Sequence, residues 1–164
     1  MSGVEDFSTG RIVNRSPLTI RRRARWGDCD PAGVVYTPRF TEYMVSAYET
    51  LIGLIFAGPP HLAMRASGIS LPIKACSVVF HRSLWLEQEF EIVVVVGNIR
   101  SRTFDLVQEA RDLEGQTIFS GVLSPICVDG ERKSRAIPDD LRTLLRAEQD
   151  CRGQGGQRST GLDQ

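Results

Sequence analysis

The sequence predicts an α+β fold in which a five-stranded antiparallel sheet wraps around one long central helix. Three observations predict it: a strand-like segment near the N-terminus, a long amphipathic segment after it, and four further strand-like segments separated by short turns. A long helix followed by antiparallel strands is an α+β arrangement. A chain of 164 residues is long enough to build one domain with its own core.

The boundaries of that domain are predicted from changes in composition. Residues 1–16 are polar and irregular and are expected to form a flexible N-terminal arm. Residues 150–164 are rich in Gly, Gln and Ser and are expected to form a disordered tail. The folded domain is therefore predicted over residues 17–149.

The first two elements are predicted from hydrophobic periodicity. Imperfect alternation over Leu18 to Trp26 indicates a first strand. From Pro38 the apolar residues recur at spacings of three and four, which indicates a long helix with one buried stripe. Gly58, Pro59 and Pro60 end that helix, and a short helical turn is expected just after them.

The remainder of the chain is predicted to be mainly strand. Four strands are expected, over 70–81, 90–99, 103–111 and 116–128. Pro72 places the start of the first of these at a sheet edge or a bulge. The run of β-branched residues from Ile92 to Val96 favours a central strand covered on both faces. A final helix is expected over 138–148, with Leu141, Leu144 and Leu145 facing inward.

Composition excludes several classes of partner and cofactor. Lys plus Arg and Asp plus Glu number 20 each, so no overall field attracts nucleic acid or an anionic membrane surface. The four cysteines form no C-x-x-C pair, and with two histidines they cannot form a zinc site of ordinary spacing. We therefore expect reduced cysteines, a cytoplasmic protein, and no metal or organic cofactor.

The turn between the first strand and the long helix carries two acids, Asp28 and Asp30, followed by Pro-Ala-Gly. Amide groups at the start of the helix, near Thr37, lack acceptors within the helix and favour a developing negative charge. A carboxylate close to such donors could hydrolyse an acyl group, by attacking its carbonyl or by activating water. Asp is also common in turns for purely structural reasons, so the spacing alone does not identify an enzyme.

The segment Trp26-Gly27-Asp28-Cys29-Asp30-Pro31-Ala32-Gly33-Val34-Val35-Tyr36 resembles the signature of the hotdog-fold thioesterases, in particular the 4-hydroxybenzoyl-CoA thioesterase branch. The similarity covers residues 18–140 and includes the order of strand, long helix and four strands. It implies an acyl-CoA thioesterase that releases free acid and CoA. The family's catalytic carboxylate corresponds to Asp30, and its carbonyl-polarising amide corresponds to the backbone N–H of Thr37.

The resemblance also implies a binding site for coenzyme A, as part of the substrate. The segment Arg100-Ser101-Arg102-Thr103 matches a basic stretch that in the family contacts the nucleotide phosphates, and guanidinium groups suit phosphates. Arg132 and Arg135 lie near a further phosphate position. One extra residue alters the register there, and we favour Arg135.

Three positions depart from the 4-hydroxybenzoyl-CoA pattern: Thr37, Arg39 and Leu71. A backbone N–H does not depend on its side chain, so the polarising role survives, whereas the acyl group is left open. The resemblance implies 4-hydroxybenzoyl-CoA or another aromatic acyl-CoA. The alternatives are a short-chain aliphatic acyl-CoA thioesterase of the Tol–Pal-associated type and a non-catalytic acyl-CoA-binding protein.

Other chemically capable residues have ordinary interpretations. Cys29 has no nearby histidine in sequence to activate it. His61 is expected in a loop and His81 at the surface end of a strand. Glu49, on the long helix, is a minor rival for the catalytic carboxylate. A hotdog dehydratase would require a His paired with a carboxylate, and no His lies near Asp30 in the chain.

The resemblance further implies self-association. Hotdog domains pair their sheets edge to edge, with active sites at the subunit interface. We therefore expect a homo-oligomer, either a dimer or a homotetramer built as a dimer of dimers. Residues 69–75 match the strand that lines the acyl pocket from the partner subunit in this family.

Overall fold

The computed structural model describes residues 10–150, which contain one large antiparallel sheet and three helices. The strands are β1 (Arg11–Arg15), β2 (Leu18–Arg23), β3 (Ile69–Ser70), β4 (Ile73–Phe80), β5 (Glu89–Ile99), β6 (Phe104–Asp112), β7 (Thr117–Pro125) and β8 (Val128–Asp129). The helices are α1 (Thr37–Ile55), α2 (Pro60–Ala66) and α3 (Asp139–Asp150). The large sheet has the order β1-β2-β5-β6-β7-β4, and β3 pairs separately with β8. The α+β hotdog class is confirmed, with six strands in the sheet where five were expected.

The sixth strand comes from a segment assigned to the flexible arm. Residues 11–15 form β1, which pairs antiparallel with β2. All five of its residues are exposed, including Ile12 and Val13, so neither face carries the buried alternation that identifies a strand from sequence. The expectation of an irregular arm is wrong for these residues. Residues 1–9 and the tail beyond residue 150 lie outside the described part of the chain.

Helix α1 occupies the centre of the fold, as its periodicity predicted. Proline stands in its first turn, where the missing N–H costs no helical hydrogen bond. The buried residues of α1 are Phe40, Tyr43, Met44, Ala47, Tyr48, Leu51, Ile52 and Ile55. No helix among the described residues is long and apolar enough to cross a membrane.

The sheet packs on α1 with one face only. In β5 the residues alternate, and Phe90, Ile92, Val94 and Val96 are buried at 0–2% exposure while the residues between them remain half-buried. The expectation that this strand is covered on both faces is therefore wrong for the single chain. Its β-branched composition gave no indication of which face α1 would cover.

Two further expectations are corrected by the positions of single residues. Trp26 is 83% exposed and lies in a short 3-10 turn, because the first strand ends at Arg23. Leu144 is 41% exposed, whereas Leu141 and Leu145 are buried as expected. Trp26 lies two positions after buried Ala24, and Leu144 directly precedes buried Leu145, so periodicity alone did not exclude either side chain from the core.

Strand β4 is an edge of the large sheet. It pairs with β7 on one side, and its register shifts between Ile73 and Ala75. Pro72 lies directly before it, so the prediction of an edge or bulge at this proline is confirmed. The strand leaves Val79 and Phe80 exposed at 57% and 45%.

Candidate active site

The predicted catalytic turn is a small hairpin between β2 and α1. Tyr36 N donates to Asp28 O at 2.8 Å, and Asp30 N donates to Val34 O at 2.9 Å. Gly33 N donates to Asp30 O at 2.9 Å, and Gly33 has a φ of +80°, a conformation that favours glycine. These bonds place Asp30 at the tip of the hairpin.

The second arm of the hairpin leads directly into the start of α1. Thr37 is the first helical residue, and Pro38 after it has no N–H. No acceptor is found for the Thr37 N–H within residues 10–150. The structure therefore places both predicted catalytic groups on one short segment: a carboxylate at the hairpin tip and, at its end, a helix N-terminal donor without an acceptor among the described residues.

The carboxylate of Asp30 is half-buried and only partly engaged. Its Oδ1 accepts a hydrogen bond from Ala32 N at 2.8 Å, as expected of an Asp in a turn. Its Oδ2 has no hydrogen-bond donor among the described residues. One oxygen thus fixes the side chain, while the other remains available for chemistry.

Asp28 has a structural role in the same hairpin. Its Oδ2 accepts from Arg25 N at 2.9 Å, which closes the 3-10 turn. Arg39, from the first turn of α1, lies 3.9 Å from the Asp28 carboxylate and donates to Gly27 O at 3.3 Å. Arg39 also pairs with Glu42. The contacts of Arg39 tie the hairpin to the helix.

A buried polar group lies behind Asp28. The Arg22 guanidinium stacks over the Tyr43 ring, with 5.6 Å to the centroid, and binds the Ser46 hydroxyl. Burial raises the pKa of Tyr43, and nearby Asp28 raises it further. Burial lowers the pKa of Arg22. These groups support the hairpin from the core side.

Cys29 is not an activated nucleophile. Burial and the neighbouring carboxylates of Asp28 and Asp30 raise the pKa of its thiol. Its Sγ lies 3.5 Å from Arg25 O. A raised pKa disfavours the thiolate that attacks, so a structural role fits this residue better.

A groove of about 980 Å³ lies along the second half of α1 and against α2. It is lined by Glu49, His61, Met64, Ser70, Leu71 and Arg132, among others, and neither Asp30 nor Thr37 contributes to it. The Tyr48 hydroxyl donates to Leu71 O at 2.7 Å, which fixes residues 69–72 against the helix. This is the segment that the resemblance assigned to the acyl pocket.

The rival catalytic candidates are Glu49, His61 and His81. Glu49 is exposed and lines the groove. His61 lies in the first turn of helix α2 and also lines the groove, so its assignment to a loop is wrong. No hydrogen bond or ion pair joins it to Glu49 in the described part of the chain. His81 is exposed and contacts the Ser120 hydroxyl at 2.9 Å.

The predicted phosphate-binding loop, residues 100–103, joins β5 to β6. Arg100 forms two 2.9 Å hydrogen bonds with the Asp105 carboxylate, which also accepts from Ser124 at 2.7 Å. Arg100 lowers the pKa of Asp105. Arg102 instead donates to the Ser134 hydroxyl at 2.9 Å and has no acidic partner among residues 10–150. The charge of Arg100 is therefore matched, whereas that of Arg102 is not.

The residues on both sides of β8 lie beside this loop. Cys127 N donates to Arg102 O at 2.8 Å, and the neighbouring Thr103 bridges to Ile126. Arg135 is exposed, and its backbone N–H donates to Cys127 O at 2.9 Å. The turn from 129 to 132 lines the groove, so this segment connects the groove to the basic loop.

Within the described residues, no cluster of three or more His, Cys, Asp or Glu side chains could hold a metal ion.

Arg142 was not singled out from the sequence. Its side chain reaches across from α3 to the carbonyls of Arg100 and Ser101, at 3.0 and 3.1 Å. Nothing in the local helical pattern distinguishes it from Arg146 one turn later, because its partners lie about forty residues away in sequence.

The fold and the hairpin define a class of protein. The chain belongs to the Thioesterase-like superfamily, whose sequence pattern it matches over residues 24–145. That range includes Asp30, Thr37 and the basic loop. The protein is thus a member of the thioester hydrolases.

Solved structures show the same fold at low sequence identity. A 1,4-dihydroxy-2-naphthoyl-CoA thioesterase from Synechocystis superposes with a TM-score of 0.71 at 21% identity, over 78% of this chain and 94% of that one. A gentisyl-coenzyme A thioesterase gives 0.68 at 20% identity, over 77% and 98%. A 4-hydroxybenzoyl CoA thioesterase mutant, complexed with 4-hydroxybenzoyl CoA, gives 0.70 at 22% identity, over 77% and 96%.

Proposed function

We propose that the protein is an acyl-CoA thioesterase, with Asp30 as its catalytic carboxylate and the Thr37 backbone N–H as the donor that polarises the carbonyl. The observation that carries this proposal is the hairpin from 28 to 36, which holds a partly free carboxylate at its tip and leads into a helix N-terminal amide that has no acceptor among the described residues. A fixed donor aimed at a developing oxyanion lowers the barrier to acyl transfer.

Two routes are open to Asp30. As a nucleophile, its oxygen bonds to the thioester carbon, the C–S bond breaks, CoA leaves as thiolate, and water then hydrolyses the mixed anhydride. As a general base, it removes a proton from the water that attacks the same carbon. In both routes the negative charge on the carbonyl oxygen faces the Thr37 N–H. Neither route requires a metal or an organic cofactor.

A local cluster of basic side chains supplies the positive charge for binding phosphate that the neutral net charge of the chain does not. In this proposal the loop of Arg100, Ser101, Arg102 and Thr103, together with Arg135, binds the CoA phosphates. Arg102 contributes most, because its guanidinium has no carboxylate partner among the described residues, whereas Arg100 is paired with Asp105. The groove that adjoins the 129–132 turn would receive an acyl group attached to the same CoA.

The complete site requires a second copy of the chain. Glu49 in the groove is about 18 Å along α1 from Thr37, at 1.5 Å per residue. A two-fold pairing through the exposed edge strand β4 would bring the hairpin of one subunit towards the groove of its partner. We therefore propose a homodimer, or a homotetramer built as a dimer of dimers.

An aromatic acyl-CoA is the substrate class that we favour, with 4-hydroxybenzoyl-CoA as the first candidate. The three solved thioesterases of similar fold bear the names of hydroxyaryl-CoA substrates. The groove offers polar side chains, such as Ser46, Thr50 and His61, alongside apolar ones such as Met64. Such a mixture suits a ring that carries a hydroxyl group.

Two alternatives remain within the same scaffold. A short-chain aliphatic acyl-CoA thioesterase would use the same Asp30 and Thr37 but leave much of the groove unfilled. A non-catalytic acyl-CoA-binding protein would not need the carboxylate with a free oxygen that Asp30 presents. A dehydratase is disfavoured because no His is bonded to Asp30 or Glu49 in the described residues.

A thiol-release assay over a panel of CoA esters tests the proposal. The purified protein is mixed with 4-hydroxybenzoyl-, benzoyl-, butyryl- and palmitoyl-CoA, and free CoA is measured with a thiol reagent. We expect the highest kcat/KM for the hydroxybenzoyl ester. A preference for butyryl-CoA would favour the aliphatic alternative, and binding without any release of CoA would favour the non-catalytic one.

A further inference from the structure

The loop from 100 to 103 is held by a side chain from a distant helix. Arg142 lies in the first turns of α3, which packs along β5. Its Nη2 donates to the carbonyl oxygens of Arg100 at 3.0 Å and Ser101 at 3.1 Å. One guanidinium nitrogen thus bridges two consecutive carbonyls of the loop.

The other hydrogen bonds to the backbone of the loop are made by backbone groups. Arg100 N donates to Thr103 O at 2.8 Å, which closes the turn. Ile137 N donates to Ser101 O at 2.9 Å, so this oxygen accepts from both Ile137 and Arg142. Apart from Arg142, no side chain of the described residues binds a backbone carbonyl of this loop.

The charge of Arg142 is also unmatched. No carboxylate of the described residues lies within salt-bridge distance of its guanidinium, although the side chain is half-buried. A fixed positive charge beneath two carbonyls offsets their partial negative charge, which would otherwise repel a phosphate. The same bonds fix the backbone that carries Arg102.

We propose that Arg142 is a positioning residue for CoA binding: it fixes the conformation of the phosphate-binding loop without contacting the substrate. This inference rests on the proposed function, since it assigns the loop to CoA phosphates. It predicts that loss of Arg142 weakens the binding of the nucleotide part of the substrate and leaves the chemical step unchanged.

The test compares Arg142→Met, Arg142→Lys and the control Arg146→Met. Arg146 is exposed, carries the same charge on the same helix, and makes no hydrogen bond to the loop within residues 10–150. For 4-hydroxybenzoyl-CoA, Arg142→Met should raise KM about tenfold, the size expected for lost charge-assisted hydrogen bonds, with kcat within about twofold. Arg142→Lys keeps the charge on a shorter side chain without the planar guanidinium, so it should recover only part of the affinity. Arg146→Met should behave as the parent.

A truncated substrate and a direct binding measurement separate the possible failures. The N-acetylcysteamine thioester of the same acid lacks the nucleotide, and its hydrolysis should be unaffected by Arg142→Met. Calorimetry with CoA itself should show the same tenfold loss of affinity. Equal effects on both esters, or a result for Arg142→Met equal to that for Arg146→Met, would overturn the inference. A parent that binds CoA but cleaves neither ester would overturn the proposed function alone, and calorimetry would still decide the role of Arg142.

Discussion

At the scale of single residues, the Asp30 carboxylate stabilises the turn with one oxygen and, in the proposed mechanism, uses the other for chemistry. Its Oδ1 closes the turn through Ala32 N, while Oδ2 stays free among the described residues. The neighbouring acid differs, because both the turn at Arg25 and the Arg39 side chain approach Asp28. Two acids two positions apart therefore have different contacts, which their spacing alone did not reveal.

The two arginines of the basic loop are also expected to differ. Arg102→Ala should raise KM for CoA esters about tenfold and leave the melting temperature nearly unchanged, because it loses a charge-assisted contact with substrate. Arg100→Ala should lower the melting temperature more, since the Asp105 side chain is only 14% exposed and would lose its main partner. Steady-state kinetics and thermal unfolding of both variants test this.

The pH dependence of the melting temperature distinguishes loss of the Arg100–Asp105 pair from a nonspecific loss of stability. Arg100 lowers the pKa of Asp105 in the folded protein, so the pair stabilises the fold above the ordinary carboxyl pKa of about 3.9. That stabilisation is lost as the pH falls through the lower, folded-state value. The gap in melting temperature between parent and Arg100→Ala should therefore shrink on acidification, and a gap that did not change with pH would contradict the assignment.

At the scale of elements, the sequence predicted those helices and strands whose buried residues recur at a regular spacing. The stripe of α1 was recognisable because seven apolar residues recur at spacings of three and four. They are Phe40, Tyr43, Met44, Ala47, Leu51, Leu54 and Ile55, and every one but Leu54 is buried as expected. β1 was missed because its residues face solvent. The end of the first strand at Arg23 was missed because Trp26 continues the alternation by residue type, although it lies in the 3-10 turn.

The parts of the site that came from long-range contacts could not be predicted from residues alone. Asp30 and Thr37 were assigned by local turn chemistry and by resemblance, and the hairpin places them on one short unit. The bridge from Arg142 to the basic loop depends on how α3 packs against β5, and no local spacing encodes that packing. The same holds for Tyr48, which fixes Leu71 across the groove.

The contact between α1 and the sheet depends on one glycine. A Cβ at Gly121 of β7 would lie 2.5 Å from Ser77 O and 2.6 Å from the Met44 Cε. The methionine can move, but the backbone oxygen belongs to the paired strand β4. Gly121→Ala should therefore destabilise the fold by about 1–3 kcal/mol, as overpacking does. Gly58→Ala is a matched control because its Cβ would meet nothing within 4 Å. Chemical denaturation of both variants tests this, and equal stabilities would contradict the close contact.

At the scale of the whole molecule, the proposed site needs self-association through β4. Val79 is 57% exposed on this edge strand, and two Lys residues near a two-fold axis would repel each other. Val79→Lys should shift the protein towards a monomer in light scattering and reduce thioesterase activity in parallel, with its circular dichroism unchanged.

A second substitution on the same sheet provides the control. Val107 is 38% exposed on β6, away from the edge, so Val107→Lys should retain at least a dimer and its activity. A Val79→Lys monomer with full activity would show that each chain contains a complete site, which would contradict the proposed shared groove.

The most direct test of the central claim is the thioesterase activity of Asp30→Asn. The asparagine can still accept the Ala32 N–H bond, so the hairpin and the melting temperature should be preserved. The loss of a nucleophile or base should lower kcat by at least about a hundredfold. The Asp28→Asn variant, changed at the neighbouring acid, should retain most of the parental kcat. Release of CoA by Asp30→Asn at the parental rate would contradict the assignment of Asp30 as the catalytic carboxylate.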